Sequence, residues 1–322
     1  METIIVTGSS GFIGTKLVLD LVEKFRVIGI DVKSASIKHE KYTHYQMDLT
    51  NKENLNNVPV IGIKCVCHLA AKIRVDESMS EPKLYYLHNV IGTTNLLDWC
   101  VQRDIKNFIF ASTAAVYGDI KRESSTNNCG FFEVESGNPK SVYGQNKLEC
   151  ENILHDYSTK FGLRGYIFRF FNVCGGSEKN HDSPVHLLPI IVDNLIKNKD
   201  VYIYGNDYNT RDGTCLRDYI HLRDISLGFM SGIDHGFTHD NFKIYNLGSG
   251  SGYTVNDIVF ITVNKYIATV GHTESKIVLG KRRPGDVDIL LANCDKAKKE
   301  LGWTPTCDIE TMISDTIKSF NE

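Results

Sequence analysis

The chain has 322 residues, 42% of them hydrophobic and 23% charged, with a formal net charge of −3. That length can bury a large α/β core with an additional lobe, while the near balance of charge and the lack of any Lys/Arg-rich run exclude a polyanion-binding surface, so nucleic acid is not an expected partner. No apolar run reaches the roughly 18 residues that span a membrane, and no basic leader precedes the first apolar run, so a cytoplasmic protein without a membrane segment is expected.

In chain order, short runs rich in β-branched and aromatic residues occupy 3–6, 27–30, 42–46, 65–69, 107–112 and 164–171, and helical periodicity occupies 14–25, 90–103 and 142–161. Strands alternating with helices predict an α/β fold, a Rossmann-type doubly wound parallel sheet. After residue 172 the texture changes to longer polar loops, including 175–184 and 205–215, with short elements between them. The expected division is therefore a dinucleotide-binding domain over 1–172 and a smaller C-terminal substrate-binding lobe over 173–322, with a cleft between them. Nine cysteines scattered from Cys65 to Cys307, without Cys-x-x-Cys spacing, read as reduced thiols, neither a disulfide framework nor a metal site.

Gly8, Gly11 and Gly14 follow the first apolar strand and open the first helix. Glycines there permit a tight turn, and a helix N-terminus presents free N–H groups and positive dipole to a pyrophosphate. The spacing departs from G-x-G-x-x-G, and a plain structural bend is the alternative. Asp31 ends the second strand, where a carboxylate accepts from a ribose 2′-OH and repels a 2′-phosphate, favouring NAD over NADP; its alternative is a strand-end turn residue. Asp48 and Leu49, after the third strand, are weaker candidates for adenine contact, since a loop Asp also serves as a helix cap.

Ser112 and Thr113 end the strand 107–112, at the carboxyl edge where doubly wound sheets bind ligands, and a hydroxyl there can reach a reacting alcohol. Tyr143 and Lys147, four residues apart on one helix, can share a site in which the ammonium lowers the phenol's pKa and makes it a general base. The alternative is a solvated Tyr/Lys pair on an amphipathic helix.

Taken together, the segments 7–14 (TGSSGFIG), 48–51 (DLTN), 68–71 (HLAA), 89–93 (NVIGT), 112–118 (STAAVYG), 143–147 (YGQNK) and 169–172 (RFFN) resemble the extended short-chain dehydrogenase/reductases, and among them the UDP-glucose (UDP-galactose) 4-epimerases. The segments 205–208 (GNDY), 212–214 (DGT), 217–221 (RDYIH), 245–250 (YNLGSG) and 282–286 (RRPGD) extend the resemblance over nearly the whole chain. It implies a tightly held NAD, a UDP-sugar substrate, epimerisation at C4 through a 4-keto sugar, and a homodimer built on helices 90–103 and 142–161. Leu96, Leu97, Leu148 and Ile153 could serve either that interface or the core.

The resemblance also implies roles. Thr113 falls on the catalytic Ser/Thr, Tyr143 on the base and Lys147 on the cofactor-binding lysine. Phe12, Ile13, Leu69, Ala70, Ala71, Asn89, Ala111 and Phe170 join the glycines, Asp31, Asp48 and Leu49 around NAD. Asn172, Leu187, Tyr204, Arg217, Arg283 and Asp286 fall on residues that hold the diphosphate, uridine and sugar, with His186 and Tyr202 beside them. Two arginines suit a diphosphate, because a guanidinium fork binds its oxygens bidentately; the bland alternative pairs Arg217 with Asp218 and Arg283 with Asp286 on the surface. In the related 4,6-dehydratases Thr-Asp-Glu follows the strand, whereas this chain has Thr113-Ala114-Ala115, which disfavours dehydration. The loop 175–184 is short for the family. Leu290 falls where a bulky tyrosine restricts the pocket to UDP-glucose and UDP-galactose and a small residue admits N-acetylated sugars; leucine is intermediate. Rival readings are a UDP-N-acetylhexosamine 4-epimerase, a UDP-glucuronate 4-epimerase or decarboxylase on the same scaffold, and a non-catalytic NAD-binding regulator.

Overall fold

The computed structural model describes residues 1–118, 130–135, 137–176, 178, 184–237, 242–283 and 285–321. The first half alternates β1 (Thr3–Thr7), α1 (Phe12–Leu21), β2 (Arg26–Asp31), β3 (Tyr42–Gln46) and β4 (Ile63–His68). It continues with α2 (Val75–Ser80), α3 (Pro82–Tyr85), a π-helical turn Tyr86–Ile91 running directly into α4 (Gly92–Gln102), then β5 (Asn107–Thr113), α5 (Val142–Phe161) and β6 (Arg164–Phe170). Every residue of β1 is buried, as expected of a central parallel strand covered by helices on both faces. The long helix α5 is delimited by its sequence. Ser141 accepts a hydrogen bond from the Gly144 amide at its start, and Gly162 ends it at φ +66°, in the left-handed region.

The second half holds β7 (Asn172–Cys174), α6 (Leu187–Ile196), β8 (Val201–Tyr204), β9 (Leu216–His221), α7 (Leu222–His235), β10 (Phe242–Leu247) and β11 (Gly252–Thr254). After these come α8 (Val255–Val270), β12 (Ile277–Gly280), β13 (Ile289–Leu290), α9 (Asp295–Leu301) and α10 (Ile309–Asn321). In this lobe β9 pairs with β7, β11 and β13, and β8 pairs with β12. Helices α6, α8 and α10 pack around them through Leu188, Ile191, Val192, Ile258, Ile313 and their neighbours.

The main sheet is wholly parallel, in the order β10-β6-β5-β4-β1-β2-β3. The order reverses between β1 and β4, so a crevice opens at their carboxyl ends. The fold class read from the sequence is the one observed, and the expected strands and helices are all present. The division at residue 172 does not follow the sheet, however. After forming β9 in the smaller lobe, the chain returns through α7 and β10, and β10 pairs with β6 as the seventh strand of the main sheet. The apolar strand 242–247 completes an edge that β6, buried over six of its seven residues, would otherwise expose. Leu96 and Leu97 are fully buried in the core beneath β4 and β5, so they do not belong to a surface. No described helix is long and apolar enough to cross a membrane.

Candidate functional site

A single cavity of about 1220 Å3 runs from the glycine turn after β1, past the ends of β4 and β5, to β7, β9 and the 283–290 segment. All but one of the residues singled out from the sequence line it. Gly8, Gly11, Phe12, Ile13 and Gly14 form one end, with Asp31, Asp48 and Leu49 beside them; Leu69, Ala70, Ala71, Ala111 and Phe170 lie along the floor. Thr113, Tyr143 and Lys147 occupy the middle, and Asn172, His186, Leu187, Tyr202, Tyr204, Arg217, Arg283, Asp286 and Leu290 surround the far end. The exception is Asn89. It is 2% exposed, and its side-chain amide is spent on the backbone of Lys72, accepting from the Lys72 N–H at 2.8 Å and donating to its carbonyl at 3.0 Å. Asn89 therefore shapes the cavity wall and does not face the cavity.

At the glycine end, the N-terminus of α1 has no side-chain cap and no acidic residue in its first turn, so its leading N–H groups remain available to an anion. Gly8 has φ +69°, and a β-carbon on it would stand 2.7 Å from the Ala70 nitrogen, so only glycine lets the β1 turn pass this close to the segment after β4. Asp31 does not cap α1. Its carboxylate accepts from the Ser10 and Lys33 amides, each at 2.9 Å, which fixes it at the end of β2 facing the cavity. A donor-rich turn with a fixed carboxylate at its edge matches the chemistry of a dinucleotide's pyrophosphate and ribose diol.

In the middle, Gly144 lets α5 approach the end of β5, since a β-carbon there would lie 2.7 Å from the Ala115 carbonyl oxygen. The Tyr143 amide donates to Ser78 Oγ at 3.2 Å, securing the start of α5 to α2. Thr113 Oγ1 accepts from the Ala115 amide at 3.1 Å, and its hydroxyl lies close enough to the Tyr143 phenol to favour the phenolate. Lys147 Nζ donates to the Ala111 carbonyl at 2.8 Å and lies 4.6 Å above the Phe110 ring.

The charge states depart from the sequence expectation. Burial pushes the Tyr143 phenol up to about 12, opposed by the Thr113 hydroxyl. Burial also pushes Lys147 down to about 8, against the pull of Cys150 and Glu151. The ammonium is engaged by Ala111 and Phe110 and not by the phenol, so its presence four residues away does not by itself depress Tyr143. Ser112 is corrected too. Its hydroxyl turns away from the cavity partners and donates to Glu151 Oε1 at 2.5 Å, and Glu151 is gripped by Arg169 through Nε at 3.0 Å and Nη2 at 2.7 Å. This buried pair, with Ser112, fastens β5 and β6 to α5.

At the far end Asp286 sits between two guanidinium groups. Arg283 Nε donates to it at 3.1 Å, and Arg217 Nη2 lies 3.8 Å away. Of the two bland alternatives, the Arg283–Asp286 pair is formed and the Arg217–Asp218 pair is not. Asp218 is fully buried and accepts from Ser249, Gly250 and Ala292, and burial lifts its carboxyl to about 6. Tyr202 and Tyr204 stack at 6.0 Å, and Arg283 lies over the Tyr204 ring. Leu290 packs with Ala114 and Phe171 in a small apolar cluster. Sequence reasoning missed Glu178, a carboxylate with no exposed surface. It accepts from the Val185 and His186 amides and from His186 Nδ1, and so sets the orientation of a cavity-lining imidazole. No spacing motif announced it. Within the loop 175–184, residue 177 and residues 179–183 lie outside the described residues, so the expected shortening there has no structural counterpart to compare.

Residues 5–316 match the family model described as GDP-mannose 4,6 dehydratase. The chain is 32% identical over 323 residues to a UDP-glucose 4-epimerase of Rhizobium meliloti, covering 97% of this chain and 94% of that protein. It is 33% identical to a UDP-glucose 4-epimerase of Haemophilus influenzae, over 97% of this chain and 96% of the relative. The structure superposes on the UDP-glucose 4-epimerase of Bifidobacterium longum, solved in complex with NAD+ and UDP, with TM-score 0.87 and 30% identity over 99% of this chain and 98% of the other. The chain belongs to this extended short-chain dehydrogenase/reductase family, alongside its UDP-glucose 4-epimerases.

Proposed function

We propose that the chain is a NAD-dependent isomerase that interconverts UDP-glucose and UDP-galactose at C4 through a 4-keto sugar. The observation that carries the reading is the placement of Thr113, Tyr143 and Lys147 halfway along one continuous cavity, between the donor-rich turn at α1 and the arginines at the far end. Tyr143 takes the O4 proton, with the Thr113 hydroxyl bridging to it. Bound NAD supplies the hydride acceptor and donor at C4, together with a positive ring that favours the Tyr143 phenolate, and is regenerated each turnover because the sugar's net oxidation state is unchanged. Asp31 and the α1 N-terminus hold the dinucleotide, and Lys147, anchored at Ala111, is positioned for its ribose.

Arg217 and Arg283 bind the diphosphate, displacing Asp286 as their partner or sharing it. Tyr202, Tyr204, Leu187 and His186 hold the uridine end, and Asn172 reaches the sugar. The wall around the sugar is apolar at Leu290, Phe171 and Ala114, so the diphosphate is held firmly and the keto sugar loosely, and either face can be presented for hydride return. Ala114 and Ala115 leave no acid–base pair after Thr113, which separates this reading from the dehydration in the family's description. Product analysis with UDP-galactose, UDP-N-acetylgalactosamine and UDP-glucuronate tests it. Conversion of UDP-galactose to UDP-glucose is expected, and turnover of UDP-glucuronate alone would refute the assignment.

The same reading makes the protein a cytoplasmic homodimer. Support comes from Tyr86, Leu87 and Ile91, apolar side chains left exposed along the helical run into α4, and from the described cysteines, which are all free thiols. Sedimentation at micromolar concentration checks the dimer, and Leu87→Glu is expected to shift it toward monomer.

A further inference from the structure

His68 ends β4 at the point where the strand order reverses, and it is 1% exposed between the rings of Phe108 and Phe110. Both ring nitrogens are engaged. Nδ1 is 2.6 Å from Thr7 Oγ1 and Nε2 is 2.8 Å from Thr93 Oγ1. The tautomer follows from the outer partners. Thr93 Oγ1 donates to the Asn89 carbonyl at 2.5 Å, so its one proton is used and it must accept from His68 Nε2–H. Nδ1 is then an acceptor, and Thr7 donates to it while Thr7 Oγ1 accepts from the Ala70 amide at 3.2 Å. The result is one directed chain: Ala70 N–H to Thr7, Thr7 to His68, His68 to Thr93, Thr93 to Asn89.

Each end of this chain is attached to the wall of the dinucleotide end of the cavity. Thr7 precedes Gly8, whose turn packs against Ala70 with room only for a hydrogen in place of a side chain. Asn89 holds the Lys72 backbone through both atoms of its amide. The segment Leu69 to Lys72 is therefore gripped at Ala70 by one end of the relay and at Lys72 by the side chain of Asn89, the residue whose backbone carbonyl ends the other, with His68 at the centre. A protonated imidazole would put a second donor against the Thr7 hydroxyl, and burial with the nearby Lys147 ammonium pushes His68 down to about 3, so the ring stays neutral.

We propose that His68 is a positioning residue for the dinucleotide: held as the neutral Nε2–H tautomer between Thr7 and Thr93, it fixes segment 69–72 against the glycine turn so that the cofactor meets a preformed wall. The inference rests on the proposed NAD-dependent reading. It separates cofactor retention from nucleotide-sugar binding, because the relay touches none of Arg217, Arg283, Tyr202 or Tyr204.

The test uses the full-length protein as purified. NAD release is timed after rapid buffer exchange, and UDP affinity is measured by calorimetry, for wild type, His68→Phe, His68→Gln and Thr93→Val. Each cut in the relay removes a buried hydrogen bond worth about 1 kcal/mol, roughly fivefold, or more where a polar group is stranded. His68→Phe is therefore expected to release NAD at least about tenfold faster, with Thr93→Val and His68→Gln in between, and UDP affinity within about twofold of wild type in all three. NAD release at the wild-type rate in folded His68→Phe or Thr93→Val would overturn the proposal, and so would equal weakening of NAD and UDP, which marks general loosening. Should both variants fail to fold, 15N NMR of the wild-type imidazole decides: an Nε2–H signal supports the relay, and an Nδ1–H tautomer overturns it. A wild type that carries and binds no NAD would instead refute the proposed function itself.

Discussion

Lys147 Nζ and the Ala111 carbonyl, 2.8 Å apart, join α5 to the strand that ends in Thr113. The ammonium thereby spends one of its three protons on the strand and keeps its charge in a buried site, above the Phe110 ring. With Ser112–Glu151 and the close approach of Gly144 to Ala115, this contact holds α5 against the end of β5, where Thr113 and Tyr143 line the same cavity.

Removal of the phenol tests the base. Tyr143→Phe leaves the burial unchanged and deletes only the proton acceptor, so kcat is expected to fall by about 10²–10⁴-fold with the denaturation midpoint within experimental spread of wild type. Thr113→Val is expected to lower kcat less, because water can replace a bridging hydroxyl. Steady-state assays of both variants beside circular dichroism check this.

Lys147 carries a stability cost with a definite pH window. Its folded pKa of about 8 lies below the ordinary 10.5, so the unfolded chain binds the proton more tightly. The cost is full below about pH 8 and is relieved as pH rises toward 10.5, amounting to about 3 kcal/mol. Lys147→Met is therefore expected to raise the thermal midpoint at pH 7 while impairing activity, a trade seen where function holds a charge in the core. Tyr143 works in the opposite sense: with its folded value near 12 against 10, stability is lost as pH rises above 10. Thermal melts of wild type and Lys147→Met from pH 6 to 9.5 check the first sign, with the gap between them narrowing above pH 8.

The Arg169–Glu151 pair is buried on both sides, at 4% and 3% exposure. Removing one partner strands the other charge, so Arg169→Met or Glu151→Leu is expected to destabilise the protein by about 3–5 kcal/mol. The double variant Arg169→Met/Glu151→Leu is expected to recover much of that loss. Urea denaturation of the four proteins forms the cycle.

Arg217 and Arg283 should act on binding before chemistry. If each guanidinium supplies a charge-assisted fork to the diphosphate as proposed, Arg217→Met raises KM for UDP-galactose by about 10- to 100-fold. Wild-type affinity should also weaken as salt is raised. Asp286→Asn removes the competing carboxylate and should lower the Kd for UDP while disturbing the alignment of the sugar.

Leu290 tests the acetamido question. It packs with Phe171 and Ala114, so Leu290→Ser should widen the pocket and raise turnover of UDP-N-acetylgalactosamine relative to UDP-galactose, and Leu290→Tyr should suppress it. Competition assays with the two substrates give the ratio directly.

Much of this was legible before any coordinates. The apolar runs at β1, β2, β4, β5 and β6 and the glycines at 8, 11 and 14 carry local signals, and the cavity gathers nearly every site residue that those signals and the family resemblance nominated. What escaped the sequence depends on long-range geometry. The return of β10 to the main sheet is a question of pairing partners 77 residues apart, which periodicity does not encode. Asn89 is expected at the cofactor only from the family resemblance, yet its side-chain amide is consumed by the Lys72 backbone. The Tyr143–Lys147 spacing suggested a depressed phenol, and burial reversed the sign because the ammonium found Ala111 and Phe110 first. Glu178 and His68 sit in no catalytic spacing at all; their meaning lies in partners at least seven and as many as 61 residues away.

The measurement that bears most directly on the central claim is incubation of the protein, purified without added nucleotide, with UDP-galactose, followed by NMR or chromatography of the products. Appearance of UDP-glucose up to a fixed equilibrium ratio, without NAD in the buffer and with no net accumulation of NADH, is expected. No interconversion even with NAD supplied would contradict the assignment of Tyr143, Thr113 and Lys147 to C4 epimerisation.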